Sequence, residues 1–462
     1  MGIECTNTFA NCIVRYRAIK MDQKQFVKSL HKAELHHHLA GSIRNSTLLE
    51  LVQASSEDCS GLPESEIHDT TLFLYRQSLA HRSLADCFKI FGMIHKYVHN
   101  SQQINRIVRE MLEDASRDGV RYLEMRSTPR SLSDHVCASG QKTTNIIRVP
   151  PSCRVNGMIL SETDFTDVHI QEHIDSALSH YVEVVVAALC SHAKTEPGLV
   201  ARLILSVNRT EDISKAEAVM AVALAWKQVH IESRVFDSKT NVVRIMYSPV
   251  VVGIEVSGDP TRGDLCPLLN ALTSHLGAAD KRLLPVSVHA GEVMNVAETQ
   301  MVLRWQPDRL GHMCVLSHVS IDQMLRQRIP LEVCPTSNTL TLHLTNLSDH
   351  PLLGALLQQH YPIAICTDDA GVFDVTLSQE ILQLQATFGL TNEVVGEITL
   401  EAFSMAFCGW NEDNEGREIM LLLKEEARRA LHSSLGTPQT DVIGEFLTDI
   451  NRKMPSNSLI AK

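Results

Sequence analysis

Eight short runs of apolar and β-branched residues, spread along the chain, constrain its fold most strongly. Longer polar or helix-like stretches separate them, for example over residues 83–98 and 213–229. Alternating strand and helix patterns predict parallel β/α units, and eight units predict an α/β fold, a closed (β/α)8 barrel. An open doubly wound sheet is disfavoured, because no G-x-G-x-x-G motif follows the first run. The runs are residues 33–38, 120–126, 201–207, 251–256, 285–289, 309–312, 329–334 and 362–367.

Two segments do not fit this repeat, and they set the expected domain boundaries. Residues 1–30 form an N-terminal extension, and residues 31–455 form the barrel. Residues 131–170 interrupt the unit after the second run and include Pro150 and Pro151. A loop of this length without regular structure is uncommon. We therefore expect a disordered insert, with a lid over the barrel as the alternative.

The charge and the apolar runs of the chain exclude several classes of protein. Its 462 residues carry a formal net charge of −12, which repels the phosphates of nucleic acids. No run approaches the roughly 18–20 apolar residues of a membrane span, and no apolar leader follows the N-terminus. Residues 1–6 match the loose N-myristoylation pattern at Gly2, but one acyl chain binds membranes only marginally. We therefore expect a cytosolic monomer that binds neither nucleic acid nor membranes.

The first run ends in three consecutive histidines, His36, His37 and His38. Side chains alternate across a strand, so His36 and His38 face one side and His37 faces the other. Two imidazoles on one face can bind the same metal ion. Taken alone, the motif also fits a polar strand end without any ligand.

Histidine and carboxylate residues also end the fifth and sixth runs. His289 is followed three residues later by Glu292, with Gly291 between them, and His312 ends the sixth run. A carboxyl group buried beside a metal ion can donate or accept a proton, because burial raises its pKa. Taken singly, the two motifs also fit a surface turn and a structural histidine.

The eighth run ends in two adjacent carboxylates, Asp368 and Asp369. Two carboxylates at a buried strand end are costly unless they bind a cation or fixed hydrogen-bond donors. One of the pair can instead cap the N-terminus of the following helix.

Taken together the four motifs are specific, because the carboxyl ends of all barrel strands meet at one mouth. Three of these strand ends supply imidazoles and the fourth supplies a carboxylate. Such a set of ligands suits zinc and can leave a position for water. The sequence therefore predicts one zinc ion per chain at the mouth of the barrel.

Five motifs give the chain a family resemblance. They are ELHHHLAGS from Glu34, SVHAGE from Ser287, RLGH from Arg309, EVCPTSN from Glu332 and CTDD from Cys366. In this order they resemble the adenosine/AMP deaminase family of zinc aminohydrolases, which are TIM barrels of the metal-dependent hydrolase type. RSTPR from Arg126 and CTDDAGVFDVTLSQE from Cys366 are most similar to its adenosine deaminase-like members, which act on N(6)-methyl-AMP.

The resemblance implies the metal ligands and the catalytic groups. His36, His38, His289 and Asp368 would bind the zinc ion, and Glu292 would protonate nitrogen 1 of a purine. His312 and Asp368 would orient the attacking water, which the metal makes more acidic. The implied reaction is hydrolytic deamination of a 6-aminopurine nucleotide, most simply N(6)-methyl-AMP to IMP plus methylamine.

The resemblance also implies the contacts to a small-molecule purine nucleotide or nucleoside. Gly258 would donate its backbone N–H to the purine, and Asp369 would hydrogen-bond the imidazole side of the base. A guanidinium pairs well with phosphate oxygens, which suits Arg130, although a surface arginine is the alternative. The residues expected around the rest of the substrate are His38, His95, Ser127, Thr128, Pro129, Arg130 and Asn208.

Two positions depart from the family pattern. The family carries Asp or Asn after H-x-H-L, where this chain has Ala40, and related proteins read DRR where this chain has Asn208 and the next two residues. Both changes remove a polar or charged contact near the sugar and leave the zinc ligands in place. Adenosine deaminase is therefore the alternative among enzymes, and a catalytically inactive purine-binding protein is the alternative in another class.

Overall fold

The strands and helices follow the predicted alternation along the chain. The computed structural model describes residues 23–57, 83–136, 142–196, 198–411 and 413–436. Within these residues the strands are β1 (Lys32–His38), β2 (Val120–Ser127), β3 (Thr143–Val149), β4 (Arg154–Val155), β5 (Met158–Ile159), β6 (Thr166–Asp175), β7 (Val200–Asn208), β8 (Val229–Asp237), β9 (Val242–Pro249), β10 (Val251–Ser257), β11 (Val286–Ala290), β12 (Arg309–His312), β13 (Leu331–Val333) and β14 (Ile363–Ile365). The helices are α1 (residues 23–29), α2 (Asn45–Glu57), α3 (Leu84–Tyr97), α4 (Ser101–Arg117), α5 (Ser176–Thr195), α6 (Ile213–Lys227), α7 (Leu265–Leu276), α8 (Val296–Trp305), α9 (His318–Gln327), α10 (Pro335–Thr341), α11 (Leu353–Gln358), α12 (Ala370–Phe373), α13 (Leu377–Phe388), α14 (Asn392–Ala402) and α15 (Asn414–Leu435).

The eight predicted strands form one sheet in the order β1-β2-β7-β10-β11-β12-β13-β14. Each pair of neighbours in this order is parallel. The sheet closes beyond β14, where the N–H of His38 donates to the carbonyl of Asp368 at 2.8 Å. The N–H of Asp368 in turn donates to the carbonyl of His36 at 2.9 Å. The predicted (β/α)8 barrel is confirmed, and the carboxyl ends of its strands share one mouth.

The interior of the barrel holds an alternating chain of buried charges. Glu124, Arg126, Glu255, Arg309 and Glu332 are each at most 1% exposed. Arg126 forms ion pairs with both Glu255 and Glu332. Arg309 forms ion pairs with both Glu124 and Glu332. Buried charges are tolerated when they are paired and hydrogen-bonded in this way.

The segment between β2 and α5 contains strands, which corrects the expectation of disorder for its described residues. β3 pairs antiparallel with β6, and β4 pairs with both β5 and β8. β8 and β9 form a hairpin that completes a four-stranded sheet in the order β5-β4-β8-β9. The N–H of Val250, just before β10, donates to the carbonyl of Val229 at 2.8 Å. This sheet therefore lies at the end of the barrel opposite the mouth and does not cover the mouth.

The two helices beside this segment explain why it is ordered. Within α6 the consecutive residues Val222 and Ala223, like Val219 and Met220, are all buried. A helix that is apolar all round requires covering on its outer side as well as its barrel side. β6 lies against α6 and β3 lies against α5, so the segment supplies that outer cover. Residues 137–141 lie outside the described part of the chain.

The two ends of the described chain are helical. The prediction of helices after residue 380 is confirmed by α14 and α15 as far as Leu435. Residues 1–22, which include the acylation pattern at Gly2, and residues 437–462 lie outside the described residues. No helix in the described ranges combines the length and the apolar character that crossing a bilayer requires.

Candidate metal centre and active site

Four imidazole rings and one carboxylate meet at the mouth of the barrel. His36 and His38 come from the end of β1, His289 from β11 and His312 from β12, and Asp368 follows β14. Nε2 of His38 lies 3.1 Å from Nε2 of His36 and 3.3 Å from Nε2 of His289. Oδ1 of Asp368 lies 3.3 Å from Nε2 of His36 and 3.4 Å from Nε2 of His38. The structure thus brings together the residues of all four predicted strand-end motifs.

The two histidines of β1 are oriented by buried carboxylates behind them. Nδ1 of His36 lies 2.7 Å from Oε2 of Glu332, and Nδ1 of His38 lies 3.4 Å from Oε1 of Glu255. A carboxylate can only accept a hydrogen bond, so Nδ1 of His36 carries a proton, while Glu255 makes an electrostatic contact with Nδ1 of His38. Nε2 is therefore the nitrogen that both rings turn toward the metal site, and a bound metal would take the place of any proton on it.

His289 has the same tautomer for a different reason. Its Nδ1 lies 3.0 Å from the carbonyl oxygen of Val256, which also can only accept. Three Nε2 atoms and one carboxylate oxygen therefore converge, and four of the contacts among them measure 3.1–3.4 Å. Ligands bound tetrahedrally at the zinc–nitrogen distance lie about 3.3 Å apart. The residues present fit a zinc ion in both chemistry and spacing.

The carboxylates around His36 favour a positive charge at this position. Burial and the nearby Arg126 lower the pKa of His36, but hydrogen bonds to Asp368 and Glu332 outweigh them and raise it to about 9. Burial raises the pKa of Asp368. The effects of His36 and His312 are larger and opposite, so the pKa of Asp368 lies well below its usual range. Asp368 is therefore ionised, and a cation bound beside it would be stabilised.

The backbone is strained at two of these positions. His312 has φ +65° and Asp368 has φ +62°, a left-handed region that costs a residue with a side chain of the order of 1–3 kcal/mol. Ser337 donates to Oδ2 of Asp368 at 2.7 Å and helps to hold the aspartate in place. Strain of this kind is typical of functional sites, and here it turns both side chains toward the mouth.

His312 carries its proton on the opposite nitrogen. With the amide oriented as in the structure, Nδ2 of Asn338 lies 3.0 Å from Nδ1 of His312 and can only donate. Nε2 of His312 is therefore the protonated nitrogen, at 3.9 Å from Oδ2 of Asp368 and 4.0 Å from Oε1 of Glu292. Burial above all lowers the pKa of His312 to about 4, so the ring is neutral. It is suited to donate a hydrogen bond and unsuited to bind the metal through Nε2.

Glu292 supplies a carboxyl group that holds a proton near neutral pH. Gly291, with φ +66°, turns the chain after β11 and brings the next side chain toward the mouth. Burial, and then the charge of Asp368, raise the pKa of Glu292 to about 8. A neutral carboxyl group beside a metal site is suited to general acid catalysis.

Asp369 is buried without a partner for one of its oxygens. No described residue hydrogen-bonds its Oδ1, and burial together with Asp368 raises its pKa well above the usual range. A Cβ atom at position 41 would lie 1.7 Å from Oδ1 of Asp369. Asp369 can occupy this position only because residue 41 is a glycine and has no Cβ atom. Buried polar atoms without a protein partner commonly have a ligand or water as partner.

The segment Ser127–Arg130 lies at the carboxyl end of β2, as predicted, but two of its side chains have protein partners. The hydroxyls of Ser127 and Tyr181 lie 2.7 Å apart. Nη2 of Arg130 donates to the carbonyl of Val98 at 3.0 Å, and its guanidinium carbon lies 5.7 Å from the centre of the Tyr181 ring. Among the described residues, no hydrogen bond engages the other guanidinium nitrogens of Arg130.

His95 lies in a region of positive charge. Burial, and then the charges of Arg130 and Lys215, lower the pKa of His95 to about 4. Lys215, at the start of α6, also bonds Glu211 at 2.5 Å. Sequence reasoning missed Lys215, because a lysine one turn into a helix gives no signal of its own.

Asn208 lies beside Gly258, but the side-chain oxygen of Asn208 is hydrogen-bonded to Thr210. Oδ1 of Asn208 accepts hydrogen bonds from the N–H of Thr210 at 3.0 Å and from its hydroxyl at 2.9 Å. Gly258 has φ +109°, and a Cβ atom there would lie 2.3 Å from Oδ1 of Asn208. The asparagine therefore shapes the loop after β7 and does not present a free oxygen.

Sequence reasoning also missed the roles of the residues that orient the histidines and Asp368, namely Glu255, Glu332, Ser337 and Asn338. Glu255 and Glu332 are single charges in the middle of apolar strands. That pattern was a usable signal, because a buried charge requires a partner. Their partners are far away in sequence, so the pattern alone could not have identified them.

Comparisons with known proteins agree with this geometry. The family model described as adenosine deaminase matches residues 31–420. N6-mAMP deaminase of Arabidopsis thaliana is 30% identical over 83% of this chain and 94% of its own length. N6-Methyl-AMP deaminase of Homo sapiens is 27% identical over 88% of this chain and 96% of its own. The crystal structure of Arabidopsis ADAL complexed with IMP superposes with a TM-score of 0.67 at 27% identity, covering 88% of this chain and 99% of that one. The chain belongs to the adenosine deaminase family.

Proposed function

We propose that this chain is a zinc-dependent aminohydrolase that converts N(6)-methyl-AMP and water into IMP and methylamine. The observation that carries the proposal is the convergence of three imidazole Nε2 atoms and one carboxylate beside the proton-bearing Glu292. Membership of a deaminase family supports hydrolytic deamination. The names of the relatives and the related complex with IMP support a purine nucleotide as the substrate.

The zinc ion would be held by His36, His38, His289 and Asp368. His312 is left out of the ligand set because its Nε2 carries the proton. When bound, zinc acts as a Lewis acid that makes water a nucleophile near neutral pH.

The remaining groups divide the proton transfers between them. Glu292 would donate its proton to nitrogen 1 of the purine, which makes carbon 6 more electrophilic. The Nε2–H of His312 would orient the incoming water by donating a hydrogen bond to its oxygen, and the carboxylate of Asp368 would take up one of its protons. That proton would pass from Asp368 to the exocyclic nitrogen, the bond between carbon 6 and that nitrogen would break, and the remaining hydroxyl proton on carbon 6 would return to Glu292. Methylamine leaves, and the 6-oxopurine remains.

The far end of the site favours a nucleotide over a nucleoside. Arg130 and Lys215 both lower the pKa of His95, so both contribute positive charge at this edge of the mouth, although the ammonium group of Lys215 also pairs with Glu211. A monophosphate would be attracted to this region. Ala40 and the engaged oxygen of Asn208 weaken the contacts to the sugar, which keeps adenosine as the second candidate substrate.

A substrate panel tests the proposal directly. The zinc-loaded protein would be incubated with adenosine, AMP and N(6)-methyl-AMP, and the released ammonia and methylamine would be measured. We expect kcat/KM to be highest for N(6)-methyl-AMP. A higher value for adenosine would establish the alternative enzyme, and the absence of amine from every substrate would identify a purine-binding protein without turnover.

A further inference from the structure

The carboxylate of Glu332 connects the charged interior of the barrel to the predicted metal ligand His36. Glu332 is completely buried, and its Oε2 lies 2.7 Å from Nδ1 of His36. Its Oε1 accepts hydrogen bonds from Nε of Arg309 at 2.7 Å and from Arg126. The hydroxyl of Ser287 lies 3.1 Å from both oxygens. Four donors from four different strands thus fix a single carboxylate.

We propose that Glu332 is a positioning residue for the metal centre, which fixes the tautomer and the ring orientation of His36 from inside the barrel. The inference rests on the proposed zinc site and extends it to a residue that supplies no atom to the ligand set. Partners of this kind, which accept the second N–H of a metal-binding histidine, determine which ring nitrogen faces the metal.

The chemistry of the donors leaves one arrangement for His36. A carboxylate between two guanidinium groups and a hydroxyl can only accept, so the imidazole must present an N–H to it. The proton therefore stays on Nδ1, and Nε2 faces the other ligands. Gly311 leaves room for the ring, because a Cβ atom there would lie 3.3 Å from Cε1 of His36.

Arg126 extends the same control to the backbone of β1 and to His38. Its guanidinium donates to the carbonyl of Leu35, the residue before His36, at 2.6 and 3.2 Å. It also donates to Glu255 at 2.7 Å, and Glu255 faces Nδ1 of His38. One buried guanidinium thus holds both carboxylates that orient the histidines of β1.

The substitution Glu332→Gln tests the role of the charge with almost no change of shape. The amide oxygen of glutamine can face His36, but its NH2 group then meets the N–H groups of the two arginines. If the amide turns over, His36 loses its acceptor. In either orientation the tautomer of His36 is no longer imposed, and zinc affinity should fall by about 10- to 100-fold.

Glu124 offers a matched control in the same network. It is completely buried, and it accepts hydrogen bonds from Arg309 at 2.5 Å and from the hydroxyl of Tyr122 at 2.8 Å. No contact joins it to a predicted metal ligand among the described residues. Glu124→Gln should therefore lower the thermal unfolding midpoint while leaving the zinc dissociation constant and kcat at their wild-type values.

The experiment is transfer of zinc from the zinc-loaded protein to a chromophoric chelator of known affinity, for the wild type and both variants. At saturating zinc, Glu332→Gln should also lower kcat more than it raises KM, because the defect is in the metal centre. Equal zinc affinity of Glu332→Gln and the wild type would overturn the inference. Equal weakening in Glu332→Gln and Glu124→Gln would also overturn it, since the network would then be merely structural.

A milder variant covers the case in which Glu332→Gln does not fold. Ser287→Ala removes one neutral donor from Glu332 and should weaken zinc binding by about fivefold, the worth of one hydrogen bond. An unchanged dissociation constant in Ser287→Ala would count against the inference. A wild-type protein that binds no zinc would instead refute the proposed function, so the two failures are distinguishable.

Discussion

The strongest quantitative prediction concerns the proton on Glu292. With a pKa of about 8, its carboxyl group is roughly 90% protonated at pH 7, whereas at the ordinary value of 4.5 it would be about 0.3% protonated. Burial and the charge of Asp368 therefore raise the population of the acid form by up to roughly 300-fold. Glu292→Gln keeps the shape of the side chain and removes the proton that it can transfer. We expect kcat to fall by about 10²- to 10⁴-fold, the usual contribution of a general acid.

The pH profile gives the prediction a sign. The carboxyl group of Glu292 has a raised pKa and acts in its protonated form. Activity is therefore full below that pKa and is lost as the pH rises through it. A bound cation favours the ionised carboxylate, so the alkaline limb of kcat/KM should lie at or below pH 8. In Glu292→Gln that limb should disappear, because no proton remains to be lost there.

The assay is amine release from N(6)-methyl-AMP between pH 5.5 and 9.5, with zinc content measured on the same samples. Zinc content should be equal in the wild type and Glu292→Gln, because the ligand set is intact. Turnover near the wild-type rate in a zinc-loaded Glu292→Gln variant would refute the assigned role. An alkaline limb that persists unchanged in the variant would assign the titration to another group.

Three further predictions follow from the contacts. Chelation of the metal should abolish activity and lower the thermal unfolding midpoint, and added zinc should restore both. The reason is that a ligand present at a thousand times its dissociation constant stabilises a protein by about 4 kcal/mol. An unchanged midpoint would mean that no stabilising metal had been bound. Gly41→Ala should displace Asp369 and raise KM about fivefold, the worth of one neutral hydrogen bond. Steady-state kinetics with unchanged KM would contradict the assigned contact to the base. Arg130→Ala should weaken AMP-type substrates by about 10- to 150-fold more than the matching nucleosides, and equal losses would show that Arg130 does not bind phosphate.

The barrel was predictable because its signal is local. Each of the eight strands is an apolar run that its own sequence identifies, and all eight lie within a few residues of their predicted positions. The segment between β2 and α5 was harder, because β4 and β5 have only two residues each and the longer strands β3 and β6 are largely polar and pack on α5 and α6. The apolar residues on every side of those two helices were the available signal. They indicated that something must cover the outer face of the helices.

The candidate site was predictable as far as the strand ends reached. A barrel gathers the ends of its strands at one mouth, so the sequence positions of His36, His289 and Asp368 were enough to bring them together. The tautomers were not predictable, because they depend on partners such as Glu332, which lies 296 residues from His36. The role of Asn208 was also beyond the sequence. A polar side chain after a strand can either face a ligand or cap its own loop, and Asn208 caps its loop.

Three of the four predicted zinc ligands, His36, His38 and Asp368, also close the barrel. Between β14 and β1 the structure has one isolated parallel bridge, between His37 and Asp368. The backbone of Asp368 donates to His36 and accepts from His38, and the side chains of the same three residues point at one another. A metal ion shared by them would join the first and last strands where the backbone ladder is shortest. Its binding free energy would then offset the strained conformation of Asp368 and stabilise the closed barrel, so that forming the site and closing the fold become one event.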